Sequence, residues 1–490
     1  MVQRSFRFSI TLPLICFLLL GFAITVGAKP RKKSKKQRQS AARIKRDIAA
    51  QWALLNQSVA ATTTPGEGGF AANSGRETSV TSSATQSSAA LSSTNAQFVA
   101  DPEAPNPDVH PAVALAGQIL ISEFRLRGPN GANDEFIELY NNSGADHTVN
   151  GGGTGYAVAA SNGVARCVIP NGTVIPNRGH YLCVNSVGYS LASYPAGNGT
   201  TATGDATYTT DIPDNAGIAI FNTSMAVDFT LANRLDAVGS TSEANTLYKE
   251  GTGYPALTPF SIDYSFYRDM CGKSGSITTF GPCSTETPKD TDNNAVDFVF
   301  VDTNATSAGA GQRLGAPNPE NLSSPIQRNA SFGTALLDTC AGDASPPNRV
   351  RDFTSDPANN STFGTLDVRR TFTNNTGGNV TRLRFHIIDL TTFPAPSGIA
   401  DLRPRTSTAV VVTVDRPPCG SGTSNVTVQG TTLEQPASQP NGGGFGSTLS
   451  AGTVTLATPL PNGSTLDMRF LLGIQQTGSF RIYVNVEALP

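Results

Sequence analysis

The stretch ILISEFRLRGPNGANDEFIELYNNS, residues 119–143, decides how this chain is read. It crowds four acids, Glu123, Asp134, Glu135 and Glu138, around one short loop. They are either a reacting centre or the polar side of a hairpin. Phe124 and Leu126 point one way while Glu123, Arg125 and Arg127 point the other, the period-two pattern of a half-exposed strand. GPNGAND then supplies turn chemistry, with Gly and Asn for unusual backbone angles and Pro to fix one. Beyond it Ile137 and Leu139 share a face with Glu135, opposite Phe136, Glu138 and Tyr140. The expectation is a hairpin whose acids decorate the rim of a sheet, with Arg125 and Arg127 as cross-strand partners.

The rest of the chain repeats this grammar. Its 490 residues hold 48 Gly and 32 Pro among many Thr, Ser and Asn, and helical periodicity is nearly absent after residue 56. Short strands joined by turns follow. YAVAA, GHYLCVN, GIAIFN and DFVFVD read as further strands of a first domain, 113–325. In a second domain, 326–490, Leu383, Phe385 and Ile387 share a face. So do Leu466, Met468, Phe470 and Leu472, and Phe480, Ile482, Val484 and Val486. With TLDVRRTFT, AVVVTV, NVTVQGTTL and GTVTLA these make an immunoglobulin-like complement of strands. The fold class expected is all-β, with two immunoglobulin-like β-sandwich domains.

The N-terminal part differs in kind. Arg4 and Arg7 precede an apolar run, and Val26-Gly27-Ala28 offers the small residues at which a signal peptide, 1–28, is cleaved. An uncleaved anchor is the rival reading, since the run is long enough to span a bilayer. Next comes a basic arm, 29–57. From Lys29 to Arg46 there are ten Lys or Arg and no acid, against 23 basic and 37 acidic residues beyond it. Ile44, Ile48, Trp52 and Leu55 recur at the spacing of a short amphipathic helix. The Ser/Thr/Ala/Gly-rich stretch 58–112 cannot bury enough apolar surface to order itself and is expected to be a disordered linker.

Apart from Cys16 in the leader, six cysteines remain in a chain expected to leave the cytoplasm. Six admit many pairings. Proximity in sequence favours Cys167–Cys183, Cys271–Cys283 and Cys340–Cys419.

The run from Ile119 to Gly144 resembles the opening of the lamin-tail domain family, an immunoglobulin-like sandwich of nuclear lamins and of many secreted bacterial proteins. The resemblance rests on Ser122-Glu123 closing the first strand, and on Asp134, Glu135, Phe136, Ile137, Glu138, Leu139, Tyr140 and Asn141 after the polar loop. A weaker match is NNAVDFVFVDTNATSAGAGQRLGAPNPEN, which resembles the closing strand and Gly-Ala-Pro-Asn exit of such domains. Together they cover about 117–321. The resemblance implies a binding or scaffolding module more than an enzyme.

Local chemistry is sparse. The four histidines, His110, His147, His180 and His386, lie in no nucleophile motif and no zinc-spaced pair, and His386 falls on the exposed parity of its strand. No catalytic residue and no cofactor is expected. Asp290, Asp292 and Asn294 alternate like calcium ligands, but Ala295 stands where such a loop requires Gly and no Glu closes it, so they form only a weak candidate.

The function expected is that of a secreted or cell-envelope, non-enzymatic binding or scaffolding protein. Its arm, through Arg31, Lys32, Lys33, Lys35, Lys36 and Arg38, would meet an anionic surface of lipid, cell-wall polymer or nucleic acid. The alternatives are an accessory nucleic-acid-binding module of an extracellular system and a hydrolase with a non-local active site.

Overall fold

Alternation in the opening stretch produces an antiparallel pair, Ile119–Arg125 with Phe136–Asn141. Its register slips between Ile121 and Glu123, so that Ile121 and Phe124 enter the same core. One extra residue in a strand does this, by re-aiming the side chains beyond it. The turn closes with Gly131 N–H donating to the Gly128 carbonyl at 3.0 Å. Gly128 admits no side chain, because a Cβ there would meet Asp134 Oδ2 at 2.5 Å and Arg125 Cζ at 2.7 Å.

The computed structural model describes residues 70–72, 114–194, 201–257, 261–271, 273, 287–304, 313–434 and 442–490. The expected signal peptide, basic arm and amphipathic helix lie outside the described residues, as does most of the expected linker. Within that linker Phe70–Ala72 forms a short strand parallel to Ile482–Val484, filling an edge of the last strand's sheet. The described residues from Gly66 onward belong to one compact unit.

Four sheets carry nearly all of this unit. A seven-stranded sheet runs in the spatial order 313–314, 298–302, 264–268, 119–125, 136–141, 180–185, 206–208. A four-stranded antiparallel sheet, 234–238, 218–221, 155–160 and 165–170, faces it. Ile121, Phe124, Ile137, Leu139 and Phe266 from the first pack with Tyr156, Val158, Ile169, Ile218 and Ile220 from the second in a single core. This is a β-sandwich. Cys167–Cys183 joins its two sheets.

The second half builds another sandwich from a six-stranded sheet around 382–390 and 482–489 and a five-stranded sheet around 365–374 and 465–476. Leu383, Phe385, Ile387, Val484 and Val486 meet Val368, Phe372, Met468, Phe470 and Leu472 in its core, as alternation foretold. Val410–Asp415 and Thr423–Val428 form a separate ribbon, and Cys340–Cys419 fastens its turn. Cys283, of the remaining expected pair, lies outside the described residues.

GTVTLA is a turn, not the expected strand. Thr455 Oγ1 accepts from Thr458 N–H at 3.1 Å and Thr458 Oγ1 donates to the Thr453 carbonyl at 2.8 Å. Threonine hydroxyls there occupy the backbone groups a ladder would need.

Candidate functional site

The polar face of the opening hairpin is buried, contrary to the half-exposed strand expected from its sequence. Glu123, Arg125, Asp134 and Glu135 are wholly inaccessible and Glu138 retains 4 % exposure. Alternation correctly separated the two faces. What it could not show is that the second sandwich covers the charged one: Tyr267 packs on Phe445 and His386, and Ala316 N–H donates to the Phe445 carbonyl at 2.9 Å.

Each acid of the hairpin has a distinct task. Asp134 pairs with Arg125 and accepts from Ser190 N–H at 2.9 Å and Asn130 N–H at 3.0 Å, closing the loop on itself. Arg125 in turn reaches Asp263 at 2.9 Å. Glu135 accepts from the Asn185 amide at 2.8 Å and Ile212 N–H at 2.7 Å.

Burial outweighs those bonds and pushes the Glu135 carboxyl up to about 8. A raised carboxyl adds stability in full below its unfolded value near 4.5, and that stability is lost as pH climbs through 8. Urea unfolding should therefore show a Glu135-dependent loss of about 2–3 kcal/mol from roughly pH 6 to pH 8. Glu135→Gln should flatten the pH slope; an unchanged slope would contradict the assignment.

Glu123 and Glu138 instead bind the segment that follows the first sandwich's closing strand 313–314. Ser122 Oγ donates to Glu138 Oε1 at 2.5 Å, and Glu320 N–H donates to Glu138 Oε2 at 2.6 Å. Asn318 N–H donates to Glu123 Oε1 at 3.1 Å. The strand 382–390 brings Arg384, which pairs with Glu320 and holds Glu487 Oε2 at 2.5 Å. It also brings His386, whose Nδ1 lies 3.0 Å from Glu487 Oε1 and 3.8 Å from Glu320 Oε1. His180 completes the group with Nδ1 at 2.8 Å from Glu320 Oε2. Glu138, His180, Glu320, His386 and Glu487 line a cavity of about 60 Å³.

The electrostatics follow from burial, from the Arg384 guanidinium and from His180. Burial raises Glu123 far above the usual carboxylate range and lifts Glu138 to about 7, with the neighbouring acids adding to it. Burial acts on Glu320 in the same direction, but Arg384 and His180 override it and bring its carboxyl down to about 2. Burial would lower His180; Glu320 and Glu138 outweigh that and raise it to about 9.

The weak calcium candidate resolves differently. The Asn294 amide oxygen accepts from Gly239 N–H at 3.0 Å and Glu250 N–H at 2.9 Å, which uses both lone pairs. Asp292 is exposed, and Asp290 lies 3.5 Å from the Arg268 guanidinium. Asp290 does approach Asp236 and Glu250. That trio already has cations of its own, since Arg268 pairs with Asp236 and Arg234 with Glu250 at 3.2 Å.

The polyanion-binding residues expected in the arm, Arg31 to Arg38, lie outside the described residues. Sequence reasoning missed the group of His180, Glu320, Arg384, His386 and Glu487, which is assembled across distant segments. The signal available was parity: Arg384 and His386, and Asn485 and Glu487, interrupt the outer faces of two otherwise apolar strands.

No protein-family model, curated protein or solved structure matches this chain. The site therefore has to be read from its own chemistry.

Proposed function

We propose that this chain is a secreted or cell-envelope, non-enzymatic scaffolding protein. In this reading a lamin-tail-like sandwich and a second immunoglobulin-like sandwich are displayed together beyond the basic arm. The observation that supports it is the buried ionic contact between the sandwiches: Arg384 takes carboxylates from both halves, Glu320 and Glu487. A charged face covered in this way serves assembly, leaving the loops at the sandwich ends for recognition.

The disulfides Cys167–Cys183 and Cys340–Cys419 indicate an oxidising, extracytoplasmic environment, and a leader cleaved after Ala28 would deliver the chain there. Among the described residues no helix is long and apolar enough to cross a membrane. Attachment falls to the arm, whose ten cations would hold an anionic surface electrostatically.

The full chain and a variant lacking residues 29–46 should be compared on anionic vesicles, cell-wall polymer and duplex DNA at increasing salt. The full chain is expected to bind and to release steeply with salt, and the deletion to bind weakly throughout. Equal binding by both would refute the docking role, and marked preference for DNA over vesicles would select the nucleic-acid-binding alternative.

A further inference from the structure

We propose that Cys340–Cys419 is a thiol–disulfide exchange site, open to an external dithiol reductant, whose reduction releases the tip of the ribbon formed by Val410–Asp415 and Thr423–Val428. The two described disulfides stand in opposite surroundings. Cys167 and Cys183 are 1 % and 0 % exposed and belong to the first sandwich's core. Cys419 is exposed, Cys340 is half-buried, and every residue from Arg416 to Asn425 is exposed. Space beside the bridge is open as well, since a Cβ built on Gly420 or Gly422 would meet no atom within 4 Å. A thiolate has to reach a disulfide sulfur before it can exchange, so access decides which bridge reacts.

The element fastened by this bridge has little else to hold its tip. The ribbon is a separate two-stranded sheet. Its base is tied to the strand 465–476, where Gln429 N–H donates to the Asp467 carbonyl at 2.7 Å and Arg469 N–H to the Gln429 carbonyl at 2.8 Å. Near the tip, Asp415 N–H donates to Asp338 Oδ2 at 2.8 Å and Arg416 Nε to the Leu337 carbonyl at 3.2 Å. The Arg416–Asp467 pair, at 3.2 Å, is exposed on the arginine side, and such pairs contribute little. Beneath the ribbon Val410, Val412 and Val426 pack, half-buried, on the small cluster of Leu337, Val414 and Val428. In the exchange the reductant's thiolate attacks the Cys419 sulfur, the S–S bond breaks, and Cys340 leaves as a thiolate that takes a proton from water. The reductant's second thiol then attacks the mixed disulfide, which frees Cys419 as a thiol and leaves the reductant oxidised by two electrons. An oxidised dithiol of the same class reverses both steps. The proposal does not depend on the display reading.

The test uses the full chain under native conditions, exposed to dithiothreitol for graded times, alkylated and mapped by mass spectrometry. Cys340 and Cys419 should become labelled about tenfold or more faster than Cys167 and Cys183. Hydrogen exchange supplies the second readout: amides of 410–428 should lose protection on reduction and regain it when oxidised dithiothreitol restores the bridge. In Cys340→Ser/Cys419→Ser the same amides should exchange fast with or without reductant, which ties the change to this bridge. Equal labelling of both bridges, full protection of 410–428 after Cys340–Cys419 is reduced, or a reductant response that persists in the double variant would each overturn the proposal.

Discussion

Arg384→Met is expected to destabilise the chain by about 3–5 kcal/mol, the cost of leaving buried carboxylates without their counter-charge. Arg384 is wholly inaccessible and binds Glu320 on one side and Glu487 on the other. Methionine fills much of the same volume, so the loss comes from charge more than from a void. Urea unfolding provides the measurement. Adding Glu320→Gln and Glu487→Gln in the Arg384→Met background should restore much of the stability, because the uncompensated charges are then gone. A triple variant as unstable as Arg384→Met alone would show that packing, and not ion pairing, governs this contact.

Removing Cys340–Cys419 is expected to have the next largest effect. The bridge spans 79 residues, and a closed loop of that length restricts the unfolded chain by about 4.5 kcal/mol. Its anchorage matters because the ribbon 410–428 has only a small core of its own, around Leu337, Val414 and Val428. In the Cys340→Ser/Cys419→Ser variant urea stability should fall by about that amount, and amides of 410–428 should exchange faster than those of 365–374. Uniform exchange in both segments would mean that the ribbon is held by its packing and not by the bridge.

Much of this fold is legible in the sequence because its strands are two-faced. Leu383, Phe385 and Ile387 declare a core side whatever lies opposite, and the core contains them. The Gly-Pro-Asn-Gly turn is equally local, and so is the proximity of Cys167 and Cys183. What a strand's second face meets is not local. Glu138 and Glu487 have the same alternation whether they face water or another sheet, so the hairpin reads as half-exposed when it is covered. The bulge after Ile121 is hidden for a related reason, since only the partner strand reveals the extra residue.

The candidate site is the least legible part, and the cause is physical. His180 and His386 stand 206 positions apart and reach a common carboxylate, Glu320, only after two sandwiches have formed and docked. A search for closely spaced histidines passes over them. A search for charged residues opposite apolar ones, in strands whose other face is plainly core, would have marked Arg384, His386 and Glu487 together.

The central claim is that the hairpin's acidic face is sealed against the second sandwich. Carbodiimide labelling of carboxylates in the folded full chain, read by mass spectrometry, tests it most directly. The account predicts ready labelling of exposed Asp292 and Asp352 and protection of Glu123, Glu138, Glu320 and Glu487 until the protein unfolds. Labelling of Glu123 and Glu138 at the rate of Asp352 under native conditions would contradict it.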